Sequence, residues 1–473
     1  MAPAGYLLSI DPRHFEKLND TLAARCPTVG GEPLAPTSSS RAFLRLSVLK
    51  LLRSSMSGEE LNKTLWKYGA DWDSELDEKQ AVALLQTRDA NDLPPRTTLE
   101  QAPVRDPYSR EFLDWHLIES NINGAWALFG DRNKIDWGEI SVGHIDTGFT
   151  RHPALGFKGS ADSVWIDLVQ DRNFFSREIG NIGQIDSSNP FPVSDFDAED
   201  RLGGFSGGHG TRTAGVLCGC DTTANAKTAS TAGMAYAGFF GAAPKVPTVP
   251  IRLEDSIWIQ NELGIGLPDS INYLVDSASV NVISLSMGSP RTPFTGLDVP
   301  LRLKASLRNA YDNGVIVVCA AGNNIPDPQV VFPARLPHTI AVGGSTPGSL
   351  PWLGSSYGNQ VDISAPAYPI RRETTERPRK FLYGVGDGTS FATPQVAGTA
   401  ALWLAHHKGA VEATYAAKWQ RVAAFVSLLK STARVPNGWP TGTRGEGILD
   451  ARALLLAPLP SPGVLKREAT DEA

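Results

Sequence analysis

The chain has 473 residues, of which 41% are hydrophobic and 20% charged, enough for one large globular domain or roughly two to three smaller ones. Its formal net charge of −6 excludes the broad basic surface that nucleic-acid-binding proteins need, so we expect no nucleic-acid partner. No apolar run approaches a membrane span in length, and the four cysteines do not form a disulfide framework, so we expect no membrane partner and reduced thiols.

The beginning of the chain bears on its location. Residues 1–11 lack the cationic start and the long apolar run of a secretory signal peptide. The small number of cysteines agrees with a reducing compartment. We therefore predict a cytoplasmic location, with secretion left open if a leader has been removed ahead of this sequence.

Residues 1–86 are predicted to form a separate N-terminal segment, either small α/β or mostly helical. Its predicted elements are a strand over 5–10, a helix over 12–25, a strand turning into a helix or one buried helix over 41–53, and short helices over 59–68 and 78–86. Residues 87–107 contain four prolines and are predicted to be a linker. The main domain is then expected over 108–457, with a mobile tail over 458–473.

The first two candidate functional residues of the main domain are Asp146 and His209. A predicted strand over 141–146 delivers Asp146 at its carboxyl end, and further along the chain His209 lies between glycines at a predicted helix start. The region between them, 157–204, is irregular and carries an acidic cluster, Asp195, Asp197, Glu199 and Asp200. Because the spacing of these carboxylates fits no ordered calcium loop, we interpret the cluster as a solvated loop.

Two further predicted strands end in small or polar residues. The apolar run over 280–285 is typical of a parallel strand covered on both faces, and the extended tripeptide Ser286-Met287-Gly288 follows it. The run over 315–319 leads into Ala320-Ala321-Gly322 and stops at Asn323. Taken alone, an asparagine in this position is ordinarily a turn former. The predicted covering helices run over 257–275 and 301–313.

The stretch from Gly386 to Gly398 combines a tight turn with an apolar helix. Gly388 allows an unusual backbone immediately before the helix, and Ser390 lies in the first exposed turn. No face of the helix is polar, which indicates burial in the middle of the domain. A Ser or Thr at a helix start is usually only a cap. A hydroxyl aimed by rigid surroundings, in contrast, suits a nucleophile.

Four motifs in this order resemble the subtilase family of serine peptidases (subtilisin-like). They are Asp-Thr-Gly at Asp146, His-Gly-Thr at His209, Ala-Ala-Gly-Asn ending at Asn323, and Gly-Thr-Ser-Phe-Ala-Thr-Pro at Ser390. The order Asp, His, Ser is that of subtilisin. The resemblance covers about residues 108 to 457. It implies an α/β fold with a mainly parallel sheet and helices on both faces.

The resemblance also implies roles for individual residues. Ser390 would be the nucleophile, His209 its general base, and Asp146 the group that orients His209. Asn323 would donate to the oxyanion. A peptide or protein substrate would add itself as an extended strand along Ser286-Met287-Gly288, with Ala320, Ala321 and Gly322 lining one wall of the pocket for the residue before the scissile bond.

Three features qualify this resemblance. Val331 stands where the family often has glycine, which indicates a narrower or shallower pocket. Residues 221–226 and a longer insertion replace the calcium loop of many subtilases, so we expect no metal and no cofactor, although calcium stays possible. Residues 1–86 occupy the place of the family's propeptide, and they are either a segment that shields the cleft or a domain that binds a partner.

Two other functions are compatible with parts of the sequence. A catalytically inactive subtilase-like module would bind peptides without cutting them, and an intact set of reactive residues speaks against it. A nucleotide-binding α/β protein would use the glycines at 203–210 or 384–388. Neither run has the lysine of a phosphate-binding loop, so the peptidase interpretation is preferred.

Overall fold

The computed structural model describes three strands near the N-terminus, over 4–10, 48–54 and 71–76, and most of the chain from 114 to 468. Within that second part it describes residues 114–158, 161–175, 198–200, 206–221, 226–227, 235–236, 239–259, 262–263, 265–289, 301–323, 329–376 and 380–468. The chain divides into two compact units, one of Met1–Arg105 with Asn323–Pro328 and one of Asp106–Gly322 with Gln329–Ala473.

The first unit contains a three-stranded antiparallel sheet. Strand β1 (Ala4–Ile10) lies in the middle and pairs with β2 (Val48–Ser54) and β3 (Asp71–Leu76). The predicted strand over 5–10 is confirmed, and the run over 41–53 ends as a strand rather than a helix. The predicted helices over 12–25, 59–68 and 78–86 lie outside the described residues.

The second unit contains the remaining strands and the described helices. Its strands are β4 (Val142–Asp146), β5 (Arg172–Asn173), β6 (Cys220–Asp221), β7 (Ala226–Lys227), β8 (Ala235–Tyr236), β9 (Phe239–Phe240), β10 (Thr248–Arg252), β11 (Val282–Leu285), β12 (Ile316–Ala320), β13 (Ile340–Thr346), β14 (Leu350–Pro351), β15 (Ile363–Pro366), β16 (Ile370–Glu376) and β17 (Lys380–Gly386). Its helices are α1 (Trp115–Glu119), α2 (Ile122–Trp126), α3 (His209–Cys218), α4 (Gly266–Asp276), α5 (Leu301–Asp312), α6 (Thr389–His406), α7 (Ala410–Thr414), α8 (Lys418–Ser431) and α9 (Ala451–Leu456). Short 3₁₀ turns lie at Ala127–Phe129, Arg132–Lys134, Pro153–Leu155 and Pro462–Val464.

An eight-stranded sheet organises this unit. Its order is β14-β13-β12-β11-β4-β10-β5, with β15 also paired to β13. All of these pairs are parallel except β13 with β14. The carboxyl ends of β4, β11 and β12 therefore lie at one edge of the sheet, which is where open α/β sheets bind their ligands.

Helices cover both faces of this sheet, as predicted. Neighbouring strand residues alternate between two apolar clusters: Val282 packs with side chains of α6, and Ile283 packs with side chains of α4 and α5. Because both faces are covered, every residue of β4, β10, β11 and β12 is buried. The prediction of a mainly parallel α/β fold is confirmed.

Helix α4 begins nine residues later than predicted, at Gly266 instead of residue 257. Pro268 explains the difference. A proline fits the first turn of a helix, where its missing N–H is not needed, but it disrupts a helix interior. Residues 257–259, ahead of Gly266, are thereby released to pair with Gly288. Helix α5, over Leu301–Asp312, agrees with the prediction.

The last described residues form hydrogen bonds with other parts of the second unit. The Tyr415 hydroxyl donates to the Pro460 carbonyl at 2.9 Å, and the His338 N–H donates to Glu468 Oε2 at 3.0 Å. These contacts fall within the segment for which the sequence predicted a mobile tail. None of the helices that the structure describes is long and apolar enough to span a bilayer.

Candidate functional site

Asp146 and His209 are joined at the carboxyl edge of the sheet. Asp146 is the last residue of β4, and His209 is the first residue of α3. His209 Nδ1 lies 2.7 Å from Asp146 Oδ1. Asp146 is fully buried and His209 is 7% exposed, so the pair is largely shielded from bulk water. The predicted pairing of these two residues is present in the geometry.

Further donors hold the Asp146 carboxylate. The Thr147 N–H donates to Oδ1 at 2.7 Å, and the Thr213 hydroxyl donates to Oδ2 at 3.0 Å. Burial would by itself raise the pKa of Asp146, but the charge and hydrogen bond of His209 outweigh it and lower this pKa below its usual 3.8. Asp146 is therefore an anion at neutral pH and can stabilise a cationic imidazole.

Asp200 hydrogen-bonds to the residues next to Asp146 and His209. Its Oδ2 accepts from the Thr147 hydroxyl at 2.7 Å and from the Gly208 N–H at 2.6 Å. The Thr147 oxygen in turn accepts from the Gly210 N–H at 2.9 Å. Asp200 is 6% exposed. The interpretation of Asp200 as part of a solvated loop is therefore wrong: its carboxylate ties the turn after β4 to the start of α3.

Ser390 lies in the first turn of α6, 6% exposed, and its hydroxyl donates to the Ser286 carbonyl at 3.1 Å. The helix is preceded by Gly388, with φ of 145°, and no side chain caps it. The interpretation of Thr389 and Ser390 as plain caps therefore fails. The ring of Phe391, the next residue, lies 6.3 Å from the His209 ring.

The end of β12 approaches the same helix. The Gly322 N–H donates to Thr389 Oγ1 at 3.1 Å, and the Gly322 carbonyl accepts from the Ser356 N–H at 2.8 Å. Gly322 has φ of 107°, a conformation that disfavours other residues. Asn323 follows directly and is half-buried. Its predicted part in an oxyanion hole stays a prediction.

The tripeptide after β11 is largely engaged within the protein. Ser286 and Met287 are buried, and both backbone groups of Gly288 are paired: its N–H donates to the Ile257 carbonyl and its carbonyl accepts from the Ile259 N–H, each at 3.0 Å. The backbone of Gly288, to which a substrate was predicted to pair, is thus already occupied by this segment. Residues 257–259, predicted as helix, form this pairing instead.

Val331 fills the space between two of the predicted substrate-binding segments. A Cβ atom placed on Gly322 would lie 2.7 Å from Val331 Cγ1, and one placed on Gly288 would overlap Val331 Cγ2. Val331 is 6% exposed. Its methyl groups therefore touch the glycines of both segments, which agrees with the narrower pocket inferred from the sequence. Ala320, the last residue of β12, and Ala321, which follows it, are both buried.

Two residues near Asp146 escaped the sequence analysis, namely His144 and Thr213. His144 alternates with Asp146 along β4, and Thr213 lies one turn after His209 in α3. These two spacings, i and i+2 in a strand and i and i+4 in a helix, were visible in the sequence. Within the described ranges no group of three or more His, Cys, Asp or Glu side chains is placed to hold a metal ion.

Comparisons with known proteins agree with the motifs. The sequence profile of the Subtilase family matches residues 138–447. The chain is 30% identical over 257 residues to the major intracellular serine protease of Bacillus subtilis, covering 53% of this chain and 70% of that protein. It is 28% identical over 358 residues to an extracellular protease of Xanthomonas campestris, covering 71% of this chain and 53% of that protein.

Two further similarities are more limited. Subtilisin E of Bacillus subtilis is 31% identical over 208 residues, covering 42% of this chain and 46% of that protein. The chain thus spans about half the length of two of these relatives. A solved protease structure from Pseudoalteromonas arctica is 22% identical, with a TM-score of 0.48, and covers 72% of this chain and 96% of that one.

The comparisons contradict the predicted cytoplasmic location. That prediction rested on the missing signal peptide in residues 1–11 and on the few cysteines. The similar proteins include one named as extracellular and several subtilisins. The prediction is therefore wrong.

Proposed function

The chain belongs to the subtilase family, and we propose that it is a serine endopeptidase with Asp146, His209 and Ser390 as its catalytic triad. The observation that carries the proposal is the buried contact of 2.7 Å between Asp146 Oδ1 and His209 Nδ1. This contact lies at the sheet edge where parallel strands deliver reactive side chains. Ser390 lies in the first turn of α6, the helix that packs beside α3.

The proposed reaction is acyl transfer followed by hydrolysis. When Nδ1 of His209 donates to Asp146, the other ring nitrogen, Nε2, is the acceptor in the neutral imidazole. It removes the proton of Ser390 as that hydroxyl attacks the scissile carbonyl, and it returns the proton to the leaving amine. For this step the Ser390 hydroxyl must exchange its bond to the Ser286 carbonyl for one to His209.

The negative charge that forms on the substrate oxygen needs donors. The Ser390 N–H belongs to the first turn of α6, where backbone N–H groups have no partner within the helix. We propose that it acts together with the carboxamide of Asn323, which follows Gly322 directly in the chain. A single donor of this kind is worth about 10²–10³ in rate.

The proposed substrate is an extended peptide that pairs with the backbone after β11. Because Gly288 is already paired with Ile257 and Ile259, a peptide bound there would have to displace this segment. The Val331 methyl groups between Gly288 and Gly322 favour a small residue before the scissile bond. Main-chain pairing would then supply most of the affinity and the pocket the selectivity.

A fluorophosphonate probe tests the proposal directly. The full-length protein should be labelled covalently and should cleave a casein substrate, whereas Ser390→Ala should do neither while keeping its circular dichroism spectrum. His209→Ala should lose about as much activity as Ser390→Ala, because members of a catalytic unit fail together. Casein cleavage by folded Ser390→Ala would rule out this mechanism, and an unlabelled, inert wild type would indicate a peptide-binding module.

A further inference from the structure

A second pair of polar side chains, His144 and Thr213, lies next to Asp146. His144 precedes Asp146 by two residues in β4, so both side chains leave the strand on the same face. Thr213 follows His209 by four residues in α3 and lies one turn further along the same side of that helix. Strand and helix thereby bring four polar side chains into one cluster.

Hydrogen bonds connect this cluster in a line. Thr213 Oγ1 lies 3.0 Å from Asp146 Oδ2 and 2.9 Å from His144 Nε2. His144 is 1% exposed and Thr213 is fully buried, so bulk water does not compete for these bonds. Of the residues that the structure describes, only Thr213 donates to Oδ2, because His209 and the Thr147 N–H both bind Oδ1.

The acceptors determine the direction of the two bonds. The single hydroxyl proton of Thr213 has three oxygens within reach: Asp146 Oδ2 at 3.0 Å, and the carbonyls of His209 and Gly210, both at 3.2 Å. The carboxylate oxygen is the nearest and carries the charge, and charge-assisted hydrogen bonds are the stronger ones. Thr213 therefore donates to Asp146. Its oxygen then accepts from His144, which requires the His144 proton on Nε2.

His144 is neutral at ordinary pH. Its pKa is lowered to about 4, chiefly by burial and also by the proximity of His209, while the Asp146 charge acts in the opposite direction. A neutral imidazole can donate to Thr213 without competing with His209 for the negative charge of Asp146. A cationic His144 would form a second ion pair with the same carboxylate and weaken the first.

We propose that Thr213 and His144 are positioning residues, which hold Oδ2 of Asp146 so that Oδ1 stays aligned with Nδ1 of His209. The inference rests on the proposed function, because only a reacting imidazole needs this alignment. A carboxylate bound at both oxygens resists rotation about its Cβ–Cγ bond, and the imidazole that it holds keeps one orientation. The alternative is a buried polar pair that satisfies itself and affects stability alone.

Thr213→Val separates these alternatives, because it removes the hydroxyl with little change of shape. We expect kcat to fall about tenfold at unchanged KM, the loss typical of one hydrogen bond to a charged group. The acid limb of the kcat/KM profile should move to higher pH, because a carboxylate with one donor fewer stabilises the His209 imidazolium more strongly. Thr213→Ser should restore both.

The matched control is Thr399→Val. Thr399 is also fully buried, and its hydroxyl donates to the Gln395 carbonyl within α6. It should lower the melting temperature without moving the acid limb. If folded Thr213→Val has the kcat and acid limb of the wild type, or if Thr399→Val moves the limb equally, the proposal is overturned.

An NMR measurement needs neither turnover nor a change at Thr213. The chain has eight histidines, few enough for an assigned spectrum of isotope-labelled histidine in full-length Ser390→Ala. His144 should stay neutral, with its proton on Nε2, from about pH 6 to 8. A proton on Nδ1 would overturn the positioning proposal alone, whereas equal inertness of wild type and Ser390→Ala toward peptides would overturn the proposed function.

Discussion

The hydroxyl of Ser286 donates to the carbonyl oxygen of Ser390 at 3.0 Å. In a regular α-helix this carbonyl would accept from the N–H four residues further on, but that residue is Pro394, which has none. Ser286, the residue after β11, therefore supplies the donor that α6 lacks. The Ser390 hydroxyl donates in return to the Ser286 carbonyl at 3.1 Å. The two bonds tie the first turn of the helix to the end of the strand.

Ser286→Ala should lower the free energy of unfolding by about 1–3 kcal/mol, because a buried carbonyl loses its donor. In a Pro394→Ala background the loss should be much smaller, since the N–H of residue 394 is then available. Denaturant titration of the two single variants, the double variant and their parent, all as Ser390→Ala to prevent self-cleavage, measures the coupling. Strictly additive losses would contradict this account.

Local patterns were sufficient to predict the elements that carry the proposed triad. The apolar run before Asp146 predicts a strand, and the glycine before Ser390 predicts a helix start. Each pattern extends over only a few residues, and β4 and α6 are found at these places. Gly388 has φ of 145°, so the glycine identified from the sequence occupies a position that other residues rarely adopt.

Pairing between distant segments could not be predicted in this way. The bonds of Gly288 to residues 257–259 depend on where Pro268 allows α4 to begin. A lone histidine in a strand, such as His144, is indistinguishable from a core residue until the helix beside it is known. The leucine-rich run over 41–53 fits the helical and the strand period alike, and only its pairing with β1 decides between them.

Asn323→Ala should lower kcat by about 10²–10³ with little change in KM, because the proposed bond to the oxyanion strengthens in the transition state. Asn323→Asp, which keeps the shape but has no N–H to donate, should lose at least as much. Steady-state kinetics on one peptide substrate measures both. A rise in KM at unchanged kcat would instead identify Asn323 as a residue that binds the substrate.

Val331→Gly should enlarge the pocket between Gly288 and Gly322. We expect kcat/KM for a peptide with Phe before the scissile bond to rise by about tenfold or more relative to the same peptide with Ala. Val330→Ala, a change at the neighbouring buried valine, is the control for general loosening and should leave the ratio unchanged. An unchanged ratio in Val331→Gly would remove Val331 from the specificity pocket.

Glu373 is a buried acid outside the proposed triad. It lies in β16, fully buried, and no side chain among the described residues hydrogen-bonds to its carboxyl oxygens. Gly215 of α3 leaves room for the carboxyl group, since a Cβ there would overlap both oxygens. Burial raises the pKa of Glu373 well above 4.5, although the backbone N–H groups of Glu373 and Gly215 and the charges of Arg372 and Arg212 act against the shift. The raised pKa favours the neutral form of Glu373 in the folded protein.

This raised pKa makes stability depend on pH. Below about pH 4.5 the carboxyl is protonated in both the folded and the unfolded chain, and it contributes no pH dependence. Above that value the unfolded chain releases the proton and the folded chain keeps it, so stability falls as pH rises, by up to about 1.4 kcal/mol per unit, until the folded pKa is reached.

Glu373→Gln should therefore leave stability nearly unchanged at about pH 4 and raise it at about pH 7, because the amide stays neutral in both states. Denaturant midpoints of Ser390→Ala with and without Glu373→Gln, measured across this range, provide the test. Glu412→Gln, at an exposed position in α7, is the matched control and should show no such trend. A gain at Glu373 that does not vary with pH, or a loss of stability near pH 7, would show that Glu373 is ionised in the folded protein.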